Sequence, residues 1–328
     1  MTNVLILGGT GWLSGRVAGA WVDAGARVTC LARGGRPAPD GAELVVADRG
    51  EPGAYVAVAG REWDEVVEIS STPDHVASAV AALAPVAGHL TYVSSLSVYA
   101  ANDVVGAAEG AALSEPLRPG EEYDYARAKA AAEASVLDHF RDRAAIVRPG
   151  LIVGPDDPTD RFGYWVARFA LAGDRPVLTP TLDDRMTQVI DVDDLTAFLA
   201  ACGAGGRSIV ANAIGDPVPF RTFIDAARVT AAHSGDLVEA DDDWLVAHDV
   251  QYWMGPRSLP LWLPRDMPGF ATRSNAAYRA AGGPLRDLED TLRRTLADER
   301  ARGLARERRC GLTRAEEERL VAARLGAD

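Results

Sequence analysis

Residues 4–7 are continuously apolar and run into Gly8-Gly9-Thr10-Gly11-Trp12-Leu13-Ser14-Gly15, after which an apolar-periodic stretch continues through Ala24 to a stop at Gly25. The order reads as strand, tight loop and helix. Gly8 and Gly11 accept the backbone angles and close approach that a pyrophosphate needs, and the helix that follows presents unpaired N–H groups and a positive dipole end. Thr10, Trp12 and Leu13 complete the candidate phosphate loop. Where a third glycine would allow close helix packing the chain has Ser14, with Gly15 one residue later, so a slightly altered loop is expected. The alternation then continues, with strands expected over 27–32, 44–47, 65–69 and 90–94 and a helix starting near Pro73. Repeated strand-helix units of this kind build a parallel, doubly wound sheet.

The second strand ends at Arg33-Gly34-Gly35-Arg36 and lacks the acidic residue that would bind an adenosine ribose. Two arginines suit a ribose 2′-phosphate, so NADP(H) is preferred to NAD(H), the second candidate; the alternative is a pair of solvated loop arginines. The third strand ends in Asp48-Arg49, where a carboxylate can accept from an adenine amino group or cap a turn, with Arg49 beside it as a further candidate cofactor contact. Ligands of such sheets bind at the carboxyl ends of the strands. Ser94-Ser95-Leu96-Ser97-Val98-Tyr99 lies at one of those ends, and its serines are either ligands or turn formers. Farther on, Tyr125-Ala-Arg-Ala-Lys129 places a phenol and an ammonium one helical turn apart on the same face. A nearby cation favours the phenolate and makes tyrosine a usable general acid or base; the alternative is an ordinary helix surface.

Gly-Gly-Thr-Gly-Trp-Leu at the start, Val-Ser-Ser-Leu-Ser-Val-Tyr at 93–99, Tyr125 to Lys129, and Arg-Pro-Gly-Leu-Ile-Val-Gly-Pro at 148–155 occur in the order and spacing of one family. The chain resembles the NAD-dependent epimerase/dehydratase family, the extended or atypical short-chain dehydrogenase/reductases. The resemblance covers most of the chain. It implies an α/β fold, a Rossmann-type doubly wound parallel sheet with a smaller, mostly helical carboxyl-terminal substrate lobe. It implies Ser95, Tyr125 and Lys129 as the catalytic set: Tyr125 exchanges a proton with the reacting oxygen, Ser95 orients that oxygen, and Lys129 stabilises the phenolate and holds a nicotinamide ribose hydroxyl. Ser94 and the segment Pro149, Gly150, Leu151 and Ile152 then lie beside the nicotinamide. Residues 156–165 open the expected substrate loop, with Arg161 for an anionic group, Tyr164 or Trp165 as apolar walls and Ser97 as a further contact. The alternative for this segment is a capped helix start with aromatic core anchors. Residues 188–194 resemble the family's return strand and helix, where Asp193 or Asp194 reads as an N-cap.

The domain expectation is 1–154, with a return at 188–215, for the nucleotide domain, and 155–187 with 216–328 for the substrate lobe. Trp244, Trp253 and Trp262 punctuate a proline-rich stretch of that lobe, as a lid or as its core. From Leu285 onward the pattern is arginine- and glutamate-rich and helical, with a break and cap at 311–313, and a peripheral helix pair is expected. A net charge of -13 argues against general nucleic-acid binding. The arginine-rich 302–309 stretch reads as a helix laced with ion pairs. Cys30, Cys202 and Cys310 stand singly without metal-ligand spacing, so no metal is expected. No apolar run is long enough to span a bilayer, and no basic-then-apolar signal precedes the first strand; a cytoplasmic protein is expected. The functional expectation is an NADP-dependent oxidoreductase acting on the carbonyl or alcohol of a small metabolite. The alternatives are an NAD-dependent epimerase/dehydratase and a catalytically silent nucleotide-binding module. A homodimer through the alanine-rich face of the Tyr125 helix is implied by the resemblance, against packing of Ala130, Ala131 and Ala132 on the chain's own sheet.

Overall fold

A computed structural model describes residues 1–326. The chain forms two compact units. The first contains residues 1–151, 192–215 and 273–285. In chain order it holds β1 (Asn3–Leu7), α1 (Trp12–Asp23), β2 (Arg27–Ala32), β3 (Glu43–Val46), β4 (Trp63–Glu68), α2 (Pro73–Leu83), β5 (Ala87–Val93), α3 (Tyr125–Phe140) and β6 (Ala144–Pro149). The helix Val192–Ala204 and the strand Ile209–Ala213 follow. The seven strands form one sheet in the order Ile209–Ala213, β6, β5, β4, β1, β2, β3, and every pair is parallel. This is a Rossmann-type doubly wound sheet. The strand order reverses at β1, so a crevice opens between the ends of β1 and β4.

Local sequence explains the elements. The β1 residues Val4 to Leu7 are almost wholly buried, as strands covered on both faces require. α1 stops at Gly25, whose φ of 79° a side chain would disfavour. α2 begins on Pro73 behind Thr72. α3 is capped by Asp124, whose carboxylate accepts from the Arg127 amide at 2.8 Å. One face of the sheet packs Leu5, Leu7, Val66, Leu90, Tyr92 and Ile146 against Val76, Val80, Ala132 and Phe140. Ala128, Ala130 and Ala132 are buried within this unit. The buried Glu65 and His89 join at 2.5 Å, and His89 Nε2 donates to the Arg207 carbonyl at 2.9 Å. Burial works against the imidazolium, but Glu65 raises its proton affinity above the ordinary value, while burial pushes the Glu65 carboxyl up.

A second buried polar cluster ties β6 to its surroundings. Arg148 makes a two-pronged bond to Glu133 of α3 at 2.9 and 2.7 Å and donates to the Tyr99 hydroxyl at 3.0 Å. Tyr99 in turn donates to Asn212 Oδ1 at 2.6 Å. The Arg273 guanidinium lies 3.9 Å from the centre of the Tyr99 ring. Residues 273–285, expected in the substrate lobe, therefore belong to the nucleotide unit: Asn212 donates to the Ser274 carbonyl, and Tyr278 packs on Phe198.

The second unit contains residues 152–191, 216–272 and, among the described residues, 286–326. The helix Arg161–Ala172 is buried along most of its length and packs Phe162 and Trp165 against Phe220 and Phe223. Short two-stranded pairings, including Val177–Pro180 with Leu237–Ala240, replace a large sheet. The expected terminal helix pair is present as Leu288–Arg302 and Arg314–Leu325, the second opened by a capping box of Thr313 and Glu316. The helix expected through 302–309 ends at Arg302; of the arginines in that stretch three pair internally, and Arg309 is exposed. Arg302 and Arg306 pair with Asp160 and Glu299, and Arg308 pairs with Glu299. Among the described residues no helix is long and apolar enough to cross a membrane, and no cluster of His, Cys, Asp and Glu could hold a metal ion.

Removing one partner of a buried ion pair strands the other charge. Glu133→Gln is expected to destabilise the protein by roughly 3–5 kcal/mol in urea unfolding, and Glu133→Leu combined with Arg148→Met to recover much of that loss.

Candidate functional site

The crevice at β1 is lined by a loop whose glycines have separate reasons. Gly8 has a φ of 86°, the left-handed region. A Cβ on Gly9 would stand 2.3 Å from the Cys30 sulfur of β2. Gly15 has room, its nearest neighbour being the Gly9 carbonyl at 3.8 Å. Ser14 carries the burden of the missing glycine. Its hydroxyl accepts from the Gly11 amide at 2.9 Å and donates to the Gly8 carbonyl at 2.7 Å, fastening the loop across its mouth. The Thr10 amide bonds the Gly8 carbonyl as well. The amides of Trp12 and Leu13 begin α1, where first-turn N–H groups have no intrahelical acceptor.

The arginines after β2 and β3 differ sharply. Arg33 and Arg36 are exposed on the loop after β2, and neither makes an ion pair among the described residues. Arg49 is committed elsewhere. Its Nη1 donates to Glu68 Oε1 at 3.1 Å, its Nη2 bonds Glu68 Oε2 and the His75 carbonyl, and its Nε donates to the Tyr55 hydroxyl. Asp48 is exposed and accepts from the Gly50 amide at 3.0 Å, the geometry of a turn cap.

At the end of β5, the Ser94 hydroxyl is buried without a hydrogen-bond partner among the described residues. Ser95 is half-buried and caps the one-turn helix Leu96–Val98, its hydroxyl accepting from the Ser97 amide at 3.1 Å. Leu96 packs with Val98, Tyr99 and Ile214. Gly150 makes room for that packing, since a Cβ there would meet Ile214 Cδ1 at 1.9 Å and Leu96 Cδ1 at 3.1 Å. Pro149 ends β6, and Leu151 and Ile152 lie in the short strand Leu151–Val153.

Tyr125 is the first residue of α3 and is 43% exposed. Lys129, one turn on, is 3% exposed. Its ammonium donates to the carbonyls of Val93 at 2.7 Å, Ser70 at 3.0 Å and Ile69 at 3.3 Å, and lies 4.8 Å from the centre of the Tyr92 ring. Burial brings its proton affinity down to about 8, against the pull of Glu68 and Glu133. The contact with Val93 sets Lys129 two residues from Ser95, so α3 and the end of β5 bring Ser95, Tyr125 and Lys129 to one edge of the sheet.

In the second unit, Arg161 opens the helix Arg161–Ala172, and its guanidinium lies 5.3 Å from the centre of the Trp253 ring. Tyr164 and Trp165 are interior: they are 2% and 0% exposed, and the Trp165 indole donates to the Pro260 carbonyl at 2.8 Å. Neither ring offers a face to solvent. The residues that sequence reading missed are Glu68, Glu133 and Arg148; the one signal for them was Glu133 standing four residues after Lys129 on the same helix face.

An ammonium presents three donors around one nitrogen, whereas a guanidinium spreads its donors in a planar fork. Lys129→Arg is therefore expected to lower stability on the order of 2 kcal/mol in urea unfolding by leaving buried carbonyls without donors.

The comparisons agree with this architecture. A protein of Burkholderia cenocepacia J2315 shares 20% identity at a TM-score of 0.72, over 92% of this chain and 98% of that one. RMD from Pseudomonas aeruginosa, solved with NADPH, shares 17% identity at 0.66, over 92% and 100%. UDP-glucuronic acid 4-epimerase from Bacillus cereus, solved with NAD, shares 13% identity at 0.65, over 92% and 99%. At these identities the likeness is one of fold. No curated protein matches the sequence significantly. The model of the NAD dependent epimerase/dehydratase family matches residues 4–208, more than half of the chain, and the protein belongs to that family.

Proposed function

We propose that the protein is an NADP-dependent oxidoreductase that reduces the carbonyl, or oxidises the alcohol, of a small metabolite. The observation that carries the reading is the bond of Lys129 to the Val93 carbonyl, two residues before Ser95, with Tyr125 one helical turn earlier on α3, in the unit that bears the glycine loop. A nicotinamide dinucleotide, when bound, supplies or takes up the hydride. The residues fit such a group: Gly8, Gly9 and Gly11 keep side chains away from the loop, the first turn of α1 offers amides to a pyrophosphate, and the buried Ser94 hydroxyl awaits an acceptor. Tyr125 holds or takes the proton of the reacting oxygen, and Ser95 donates to that oxygen and orients it. Lys129 places a positive charge one turn from the Tyr125 phenol and favours its ionised form.

The preference for NADP(H) rests on Arg33 and Arg36, which stand exposed after β2 while Arg49 is held by Glu68. A second reading, an NAD-dependent epimerase or dehydratase that returns the hydride to its substrate, is favoured by the family and by the B. cereus neighbour solved with NAD. Affinity measured by nicotinamide fluorescence separates them. The expectation is tighter binding of NADPH than NADH, with Arg33→Ala and Arg36→Ala together removing the difference. Equal or tighter NADH binding, or a copurifying dinucleotide that does not exchange, selects the second reading.

Tyr125→Phe is expected to lower the oxidation of added NADPH by small aldehydes and ketones about 10²–10⁴-fold at unchanged NADPH affinity. Because the charge of Lys129 is lost as pH rises through about 8, the wild-type rate is expected to decline on the alkaline side of that value. Retained turnover in Tyr125→Phe overturns the assignment of the proton to Tyr125.

A further inference from the structure

Of the 34 lysine and arginine residues in the chain, Lys129 is the one lysine. The other 33 of these residues are arginines, at the surface and in the interior alike. The exception sits where three carbonyl oxygens converge on one nitrogen, which suits an ammonium and not a planar fork.

Its surroundings form a row of alternating charge. Glu68 ends β4, is 0% exposed and receives both prongs of Arg49. It also accepts from the Ser70 amide at 2.7 Å. The same Ser70 offers its carbonyl to Lys129 at 3.0 Å and to the Tyr92 hydroxyl at 3.1 Å. Glu68 thus grips by the amide the residue that Lys129 grips by the carbonyl. On the other side, Glu133 of α3 is held by Arg148. The row runs Arg49, Glu68, Lys129, Glu133, Arg148. From β5 Tyr92 faces Lys129, on α3 Tyr125 stands one turn before it, and His75 lies behind Arg49 with its carbonyl bonded to the guanidinium.

We propose that Glu68 is the positioning residue of Lys129: it fixes the Ser70 peptide that receives the ammonium and keeps the sole lysine charged at neutral pH, with Arg49 limiting its effect. The proposal deepens the hydride-transfer reading, on which it rests only for the use made of the charge. Burial alone drives a lysine toward the neutral form, and a carboxylate facing it opposes that drift. Glu68 and Glu133 both act in this sense on Lys129.

A single lysine makes the test direct. In protein labelled with lysine carrying ¹³C at Cε, one resonance reports the protonation of Lys129, with neither nucleotide nor substrate present. The wild-type midpoint is expected near 8. Glu68→Gln should lower it by about one pH unit or more, and Glu68→Asp, which keeps the charge, should restore most of the difference. Arg49→Gln should move it upward, because Glu68 then acts without its counter-charge. A midpoint unchanged in Glu68→Gln, or an ordinary lysine midpoint in the wild type, overturns the proposal. Where circular dichroism shows Glu68→Gln unfolded, Arg49→Gln decides: an unmoved or lowered midpoint overturns it. Failure of this titration leaves the hydride-transfer reading standing, and failure of NADPH binding leaves the role of Glu68 standing.

Discussion

One cation closes the carboxyl ends of β4 and β5. Beyond Glu68 and Val93 the parallel ladder stops, and the carbonyls of Ile69, Ser70 and Val93 turn toward Lys129 on α3. Buried carbonyls need donors. By supplying three from one nitrogen, Lys129 sets α3 against the sheet edge at the point where the chain leaves β5 for Ser94 and Ser95. The placement of Tyr125 follows, since it lies one turn earlier on the same helix. The one-turn helix after Ser95 is then steadied from below by Leu96 and Ile214 over Gly150 and by Tyr99 between Arg148 and Asn212.

This arrangement is held against the preference of the fold. Lysine in an unfolded chain titrates near ~10.4, and Lys129 in the folded protein titrates at about 8. Between those values the unfolded state binds more protons, so the contribution of this group to stability rises with pH, is complete above the unfolded value and is lost as pH falls through the folded one. At neutral pH the buried ammonium is therefore a cost, and the carboxylates of Glu68 and Glu133 reduce it. The buried Arg148, by contrast, is a guanidinium with a two-pronged carboxylate partner, Glu133. At 129 three carbonyls converge on one nitrogen, and a compact ammonium meets them where a planar fork does not.

Most of the nucleotide unit was legible because its signals are local. The β2 strand is found where its apolar run predicted it, and α1, β3, β4 and β5 lie within a few residues of their expected bounds. The glycine loop and the Tyr125–Lys129 pair are short-range patterns with a stated geometry. The illegible parts are those fixed by long-range pairing. Arg49 read as a cofactor contact because nothing in the sequence places Glu68, nineteen residues on, against its guanidinium. Residues 273–285 read as substrate lobe because the 216–272 segment of the second unit separates them in sequence from Tyr99 and Asn212. Tyr164 and Trp165 read equally as pocket walls or core, and only burial separates the two.

The substitution of Ser14 for glycine alters what the phosphate loop can offer. Its hydroxyl accepts from the Gly11 amide and donates to the Gly8 carbonyl, which the Thr10 and Gly11 amides reach as well, so the loop's own polar groups are turned on one another. The anion-binding capacity of the loop then falls to the first-turn amides of α1, whose dipole acts regardless of the side chain at 14. A loop with fewer amide donors depends more on charges outside it. Arg33 and Arg36, which make no ion pair among the described residues, stand just beyond the carboxyl end of the strand paired with β1.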